Sequence, residues 1–303
     1  MAGVIISGTI PKALRPGVKK YTGNYDKLPK FNEMMFDVTT SDKGYEEYVQ
    51  INNMGLTPAK AEGESVRYDA ISQGYTTRLT NVPYAKGFII TREAKADGKF
   101  FDILERGTYA LTMSAYQTSQ TLGAAVYNNG FSSSFVGGDA KELFSTSHPS
   151  LSGSQSNTLS VAADFSEASV EDLCIQIRKA KDSAGNQISL TTESLIGAPD
   201  NEFEFERLLK TSGRVDTANN DINAIKNLGK FPKGYITNPF LTDADAFFIK
   251  TAGIMDGMIY QKREALEFSK DGDFDTDNMK FKIYFRETYL WADWRACYGS
   301  PGA

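Results

Sequence analysis

The chain has 303 residues, 41% of them hydrophobic and 23% charged, with a formal net charge of −5. That length holds one large domain or two modest ones, and the composition excludes wholesale disorder. The acidity argues against a dedicated nucleic-acid binder, yet residues 1–30 carry Lys12, Arg15, Lys19, Lys20, Lys27 and Lys30 against the single acid Asp26. A basic arm on an acidic body suits contact with a neighbouring subunit or with a polyanion. Two cysteines, Cys174 and Cys297, are too few for a disulfide scaffold and fit a reducing compartment. The apolar run after Met1 is too short for a signal peptide or an anchor.

The first 50 residues contain Pro11, Pro16 and Pro29 with little periodicity, and read as an extended arm. Residues 64–71 (ESVRYDAI) alternate, SQG follows as a turn, and residues 75–82 (YTTRLTNV) return, which predicts a hairpin with weak core patterning. A two-stranded ribbon is marginal in water, so this projection calls for a partner. Residues 99–128 then predict a long helix, with apolar or small residues at Phe100, Leu104, Gly107, Leu111, Ala115, Thr118, Leu122 and Ala125. No charged residue lies between Gly107 and Asn129, although Thr, Ser and Gln are too frequent for a membrane span. Gly107 and Gly123 each cost about 1 kcal/mol relative to Ala inside a helix. They therefore indicate close backbone approach, and the helix reads as covered by protein on most sides, in part by other subunits.

Residues 131–160 read as a Gly/Ser-rich loop. An α/β section follows. SEASVEDLCIQIRKAKD forms an amphipathic helix with Val170, Leu173, Cys174 and Ile177 on one face, and SAGN ends it. SLIGAP predicts a buried strand, DNEFEFERLLKTSG a helix, and GYITNPF, DADAFFIKT and GMIYQKREALEFS the remaining elements. From residue 280 onward the sequence alternates, with Phe281, Ile283 and Phe285 on one face, as a long antiparallel strand on which the chain ends.

Chemistry-bearing motifs are scarce. DGDFDTDN at 271–278 places Asp271, Asp273, Asp275 and Asp277 at alternate positions, but a calcium loop starting at Asp271 would need Gly at 276 and Glu at 282, where Thr276 and Lys282 stand. It reads as an acidic turn between strands. The single histidine, His148, lies in the Gly/Ser-rich loop, and a hydrolase using it is the weakest reading. No phosphate-binding, dinucleotide-binding or zinc pattern is present, so no cofactor, metal or enzymatic activity is expected. Cys174 and Cys297 read as buried small hydrophobes, and Trp291 and Trp294 as core.

The order of these elements resembles that of the major capsid protein of tailed bacteriophages, an α+β architecture known as the Hong Kong 97 fold. Local segments are most similar to the Mu-like major head subunit (gpT) family. They are GFIITREA at 87–94, LFSTSHP at 143–149, SNTLS at 156–160, SEASVEDLCIQIRKAKDSAGNQI at 166–188, TANNDINAIK at 217–226, FDTDNMKFKIYFR at 274–286 and DWRACYGSPGA at 293–303. The resemblance implies an N-terminal arm at 1–51, an extended β-hairpin loop at 52–90, and a peripheral domain with its spine helix and following loop at 91–159. An axial domain at 160–273 and a C-terminal strand returning to the peripheral domain at 274–303 complete it. It implies a shell of pentamers and hexamers around double-stranded DNA, with a separate scaffolding protein, a portal and a decoration protein as partners and no membrane. The particle would be assembled in the host bacterial cytoplasm and persist as the virion capsid. Arg67, Tyr75 and Arg78 would contact a neighbouring subunit, and Lys12, Arg15, Lys19 and Lys20 would clasp neighbours or face packaged DNA. An encapsulin-like compartment of the same fold is the alternative.

Overall fold

The structure is a computed structural model that describes residues 4–8, 25, 27–96, 100–213 and 222–303. From the N-terminus come Val4–Gly8 (β1), Phe31–Met35 (α1), Asp37–Thr40 (β2), Tyr45–Ile51 (β3), Gln73–Thr80 (β4) and Val82–Thr91 (β5). Arg92–Ala96 (α2), Phe100–Asn128 (α3), Glu167–Arg178 (α4), Thr191–Gly197 (β6), Glu202–Lys210 (α5), Ala224–Asn227 (α6) and Tyr235–Thr237 (β7) follow. Phe247–Ala252 (β8), Met258–Gly272 (β9), Met279–Trp291 (β10) and Cys297–Ser300 (β11) close the chain.

One sheet has the order β1-β5-β10-β9-β2, and β10 is its centre because it can pair on both edges: Phe281 lies opposite Phe88 on one side and Lys270 on the other. Its alternating apolar residues behave as the sequence predicts. Phe281, Ile283 and Phe285 are buried, and pack in two clusters with Ile90, Leu104, Leu111 and Ala115 under α3. A second sheet, β11-β8-β6-β7, carries α4, and the largest core lies around it. α4 begins at a capping box in which Ser166 and Ser169 satisfy each other's backbone N–H. Its buried face is Val170, Leu173, Cys174 and Ile177, as the spacing predicts.

Helix α3 spans 29 residues, or about 43 Å at 1.5 Å per residue. Its buried stripe is wider than the periodic set of apolar and small residues, because the C-terminal half packs against two things at once. Beyond the sheet, it holds the end of the arm. Tyr116 Oη donates to the Pro29 carbonyl (2.8 Å), Asn32 Nδ2 donates to the Ser119 carbonyl (2.6 Å), and Tyr127 Oη donates to the Met35 carbonyl (3.3 Å). A Cβ on Gly123 would overlap the Asn32 amide, and one on Gly107 would lie 2.9 Å from the Phe88 ring. The close approach inferred from these glycines is therefore real at both.

Four expectations need correction. Residues 64–71 form no strand; β4 pairs instead with β3, in the register Tyr45 opposite Thr80 and Ile51 opposite Gln73. Gly74 is a ladder residue rather than a turn: its φ is not positive, and a Cβ there would meet the Gln50 side chain at 3.0 Å. The arm is not merely extended, since β1 runs parallel to β5 and β2 parallel to β9 at opposite edges of one sheet. The chain does not end on β10; after Trp294–Ala296 it crosses to the second sheet, where β11 pairs with β8. Residues 131–160 hold little regular structure, yet Leu143, Phe144, His148 and Asn157 are buried.

Candidate assembly surface

Between β3 and β4 the chain makes a long excursion, residues 52–72, without helix or strand. Its base is fixed. Asn52 N–H donates to the Ser72 carbonyl (3.0 Å), Asn53 N–H donates to Ser183 Oγ (2.8 Å), and Asn53 Nδ2 donates to Asp182 Oδ2 (3.1 Å). Asn186 Nδ2 adds a bond to the Met54 carbonyl (3.2 Å). Asp182 is partly desolvated, which opposes ionisation, but hydrogen bonds from Asn53 and Asn186 outweigh that and hold its carboxyl below the usual carboxylate range.

Beyond Met54 the excursion lies open. Leu56 is 82% exposed and Tyr68 89%, and Met54, Val66 and Ile71 are exposed as well. The outward face of β3 continues the surface with Tyr45, Val49 and Ile51. Scattered exposed apolar residues are ordinary, but five large ones on a single irregular segment make it a candidate interaction surface. Sequence reasoning missed these residues. Their signal was density, five large apolar side chains between Met54 and Ile71 with no consistent period.

The residues expected to make subunit contacts are placed differently from one another. Arg67 lies within the excursion, exposed, 3.8 Å from Asp69. Arg78 is exposed on β4, with its guanidinium 3.7 Å over the Tyr45 ring and 3.9 Å from Glu47. Tyr75 turns into its own chain: its hydroxyl is buried, it packs on the large core, and burial followed by the Asp293 charge raises its pKa. Lys12, Arg15, Lys19 and Lys20 lie outside the described residues.

His148 is not in a flexible loop. It is fully buried and stacked on Trp294, with ring centroids 4.3 Å apart at 6°. Its Nδ1 lies 2.6 Å from Asp139 Oδ2, and its Nε2 lies 3.1 Å from Asn157 Oδ1. Asn157 also accepts from Ser145 N–H (2.9 Å) and donates to the carbonyls of Leu143 (2.7 Å) and Cys297 (2.9 Å). A histidine with both nitrogens engaged and no exposed surface meets no substrate, so the arrangement is structural. Cys174 and Cys297 are buried and unpaired, with burial pushing their thiols up to about 11 and about 12. Residues 271–278 form the turn between β9 and β10, in which Asp273 N–H donates to the Asn278 carbonyl (2.8 Å), Lys280 pairs with Asp273 (2.6 Å) and Arg92 with Asp277. Among the described residues no helix is long and apolar enough to cross a membrane.

The outer stripe of α3 is a separate uncharged face. Ala110, Gln117 and Thr121 are exposed, and Met113, Ser114 and Thr118 half-buried, with no charge among them.

Solved structures share this fold over nearly the whole chain. The capsid of a native GTA particle aligns with a TM-score of 0.55 at 12% identity, covering 89% of each chain. The virus-like particle from Pyrococcus furiosus gives 0.54 at 11%, covering 95% of this chain and 97% of its own. A chain of Mycobacterium phage Patience gives 0.53 at 9%, covering 99% and 92%. The architecture is thus α+β of the Hong Kong 97 type. No curated protein matches by sequence. The family described as Phage capsid protein matches residues 74–300, three quarters of the sequence and every element from β4 to β11, and on that match the chain belongs to the phage capsid protein family.

Proposed function

We infer that the chain is the major capsid protein of a tailed bacteriophage, of the Mu-like head subunit kind, and that copies of it close into an icosahedral shell around double-stranded DNA. The observation that carries this reading is the excursion at 52–72, whose large apolar side chains stay exposed among the described residues. Burying one such side chain is worth about 1.5–3 kcal/mol before ordering costs. One loop laid over a neighbour is therefore a modest contact, and its repetition around each subunit gives a closed shell. Arg67 and Arg78 would supply charged contacts at the rim of that patch.

In this reading α3 with the five-stranded sheet is the peripheral domain, which draws β9 out of the axial span 160–273 expected from the sequence. The four-stranded sheet with α4 to α6, joined by β11 from the C-terminal span 274–303, is the axial domain, clustered in pentamers and hexamers. Lys12, Arg15, Lys19 and Lys20 would reach neighbouring subunits or the packaged genome, where phosphate contact is independent of sequence and weakened by salt. A separate scaffolding protein, a portal and a decoration protein would be its partners, with assembly in the host cytoplasm. The match of residues 74–300 to phage capsid proteins favours a phage head over an encapsulin-like compartment.

The test is electron microscopy and sedimentation of the expressed chain beside a variant whose residues 55–70 are replaced by a Gly/Ser linker of equal length. The intact chain should give closed particles and the variant folded, unassembled subunits; normal particles from the variant would reject the reading.

A further inference from the structure

We propose that His148 is held in the core as an imidazolium, and that its second ring proton is a pH-sensitive clasp between the 131–160 segment and the turn at Trp294. The two protons follow from a count of donors and acceptors. Asn157 fixes its own orientation. One end of its amide donates to the carbonyls of Leu143 (2.7 Å), Cys297 (2.9 Å) and Trp294 (3.3 Å), and the other end accepts from Ser145 N–H (2.9 Å). The atom 3.1 Å from His148 Nε2 is therefore an oxygen, and Nε2 carries a hydrogen to meet it. The other ring nitrogen, Nδ1, lies 2.6 Å from Asp139 Oδ2, a distance at which a proton has to lie between them. A neutral imidazole has a single N–H and leaves one of these two contacts without a hydrogen.

The surroundings place the shared proton on the ring rather than on the carboxyl. Asp139 Oδ1 accepts from Lys141 N–H (3.2 Å), which favours the carboxylate. The imidazole lies flat on Trp294, whose π face attracts a cation. The other charged and titratable neighbours are Lys141 and Glu142 of the same segment, Asp293 and Arg295 of the turn, and Tyr75 of β4; Asp293 and Arg295 pair with each other at 3.2 Å. The clasp also bears on the excursion, because residues 137–139 pack on β4, the strand that returns from it. A Cβ on Gly138 would overlap Thr77 Oγ1 and lie 2.9 Å from the Thr76 carbonyl oxygen. Removing the Nδ1 proton would set a lone pair against a buried carboxylate left without a partner, which a core does not keep. Alkali should therefore open the 131–160 segment and loosen β4 with it.

The chain has one histidine, so a single imidazole reports the clasp. In the unassembled subunit labelled with nitrogen-15 at histidine, both ring nitrogens should show the shifts of protonated nitrogens at about pH 8, where a free imidazole with its midpoint at about 6.5 is neutral. In Asp139→Asn the new amide can donate to Nδ1, so Nδ1 should move to the unprotonated shift while Nε2 keeps its hydrogen. Above about pH 6.5 the folded parent holds one proton that the unfolded chain has released, so its stability falls as the pH rises. Its unfolding constant in urea should accordingly climb about tenfold per pH unit relative to that of Asp139→Asn, until the clasp opens. An unprotonated Nδ1 in the parent at about pH 8, two tautomers in exchange, or parallel pH profiles for parent and variant would overturn the proposal. If Asp139→Asn does not fold, the nitrogen shifts of the parent decide it alone.

Discussion

Two long segments of this chain lack helix and strand, and they end in opposite states. Residues 131–160 are rich in Gly and Ser and read as a loop, yet they are folded into the core through Leu143, Phe144, His148 and Asn157. Residues 52–72 carry Met54, Leu56, Val66, Tyr68 and Ile71, and all five stay exposed. Composition alone would assign the two the other way round. The difference lies in partners. Asn157 gives the first segment a polar hub that joins the Leu143 and Cys297 carbonyls, Ser145 and His148, so its backbone is satisfied without a ladder. The second is tied at its base by Asn52 and Asn53, and its large apolar side chains stay exposed.

Breaking the hub should have the largest effect on the subunit. Asn157→Ala leaves a buried N–H, a ring nitrogen and the carbonyls of Leu143, Trp294 and Cys297 without this partner, and should cost about 3 kcal/mol or more in urea unfolding of the unassembled chain. Tyr68→Ser is the mirror experiment. It should leave unfolding within about 0.5 kcal/mol of the parent, while lowering the yield of closed particles seen by electron microscopy. If Tyr68→Ser instead destabilised the isolated subunit as much as Asn157→Ala, the two segments would not differ as described.

Much of the architecture was legible because periodicity reports burial. The alternation of Phe281, Ile283 and Phe285 and the spacing of Val170, Leu173, Cys174 and Ile177 correspond to buried faces. The absence of charge along α3 indicated cover, but not whose. Tyr116, Ser119 and Tyr127 hold residues 29–35 of the same chain, and a hydroxyl that holds its own backbone has the same sequence signature as one that holds a neighbour's. Pairing of β3 with β4 was illegible for a related reason. SQG satisfies a turn pattern locally, while the real partner of β4 lies beyond an excursion of irregular backbone, and β3 turns Tyr45, Val49 and Ile51 outward. The His148 hub was hidden because its members are ordinary residues until the fold brings Asp139, Asn157 and Trp294 together.

The cover on α3 gives the next prediction. Gly123→Ala gains about 1 kcal/mol of helix propensity but forces a methyl into the Asn32 amide, an overlap worth about 1–3 kcal/mol. The net should be a loss of up to about 2 kcal/mol, read by urea unfolding, with faster hydrogen exchange at the Asn32 amide. Gly107→Ala makes the same gain and meets only the edge of the Phe88 ring, which can swing aside, so its stability should be nearly unchanged. Equal losses at the two positions would mean that helix bending, rather than docking of the arm, sets the cost.

The smallest expected effect concerns the hinge between the two states, the base of the 52–72 excursion. Asp182 anchors Asn53, and its carboxyl titrates below the usual range because the hydrogen bonds it accepts outweigh its partial desolvation. A folded-state pKa lowered below the unfolded value of about 3.9 makes this anchor fully effective above that pH. The contribution is lost as the pH falls through the folded-state pKa, so loosening belongs below about pH 4 and not near neutrality. The Asn53 side-chain amide resonance of the unassembled subunit should therefore stay constant from pH 7 to 5 and shift only in the acid range, while global unfolding changes little. In Asp182→Asn that acid-range shift should vanish, because the remaining amide does not titrate. A shift centred between pH 6 and 7 in the parent would point to a different titrating group and release Asp182 from its role in holding the excursion to the body of the subunit.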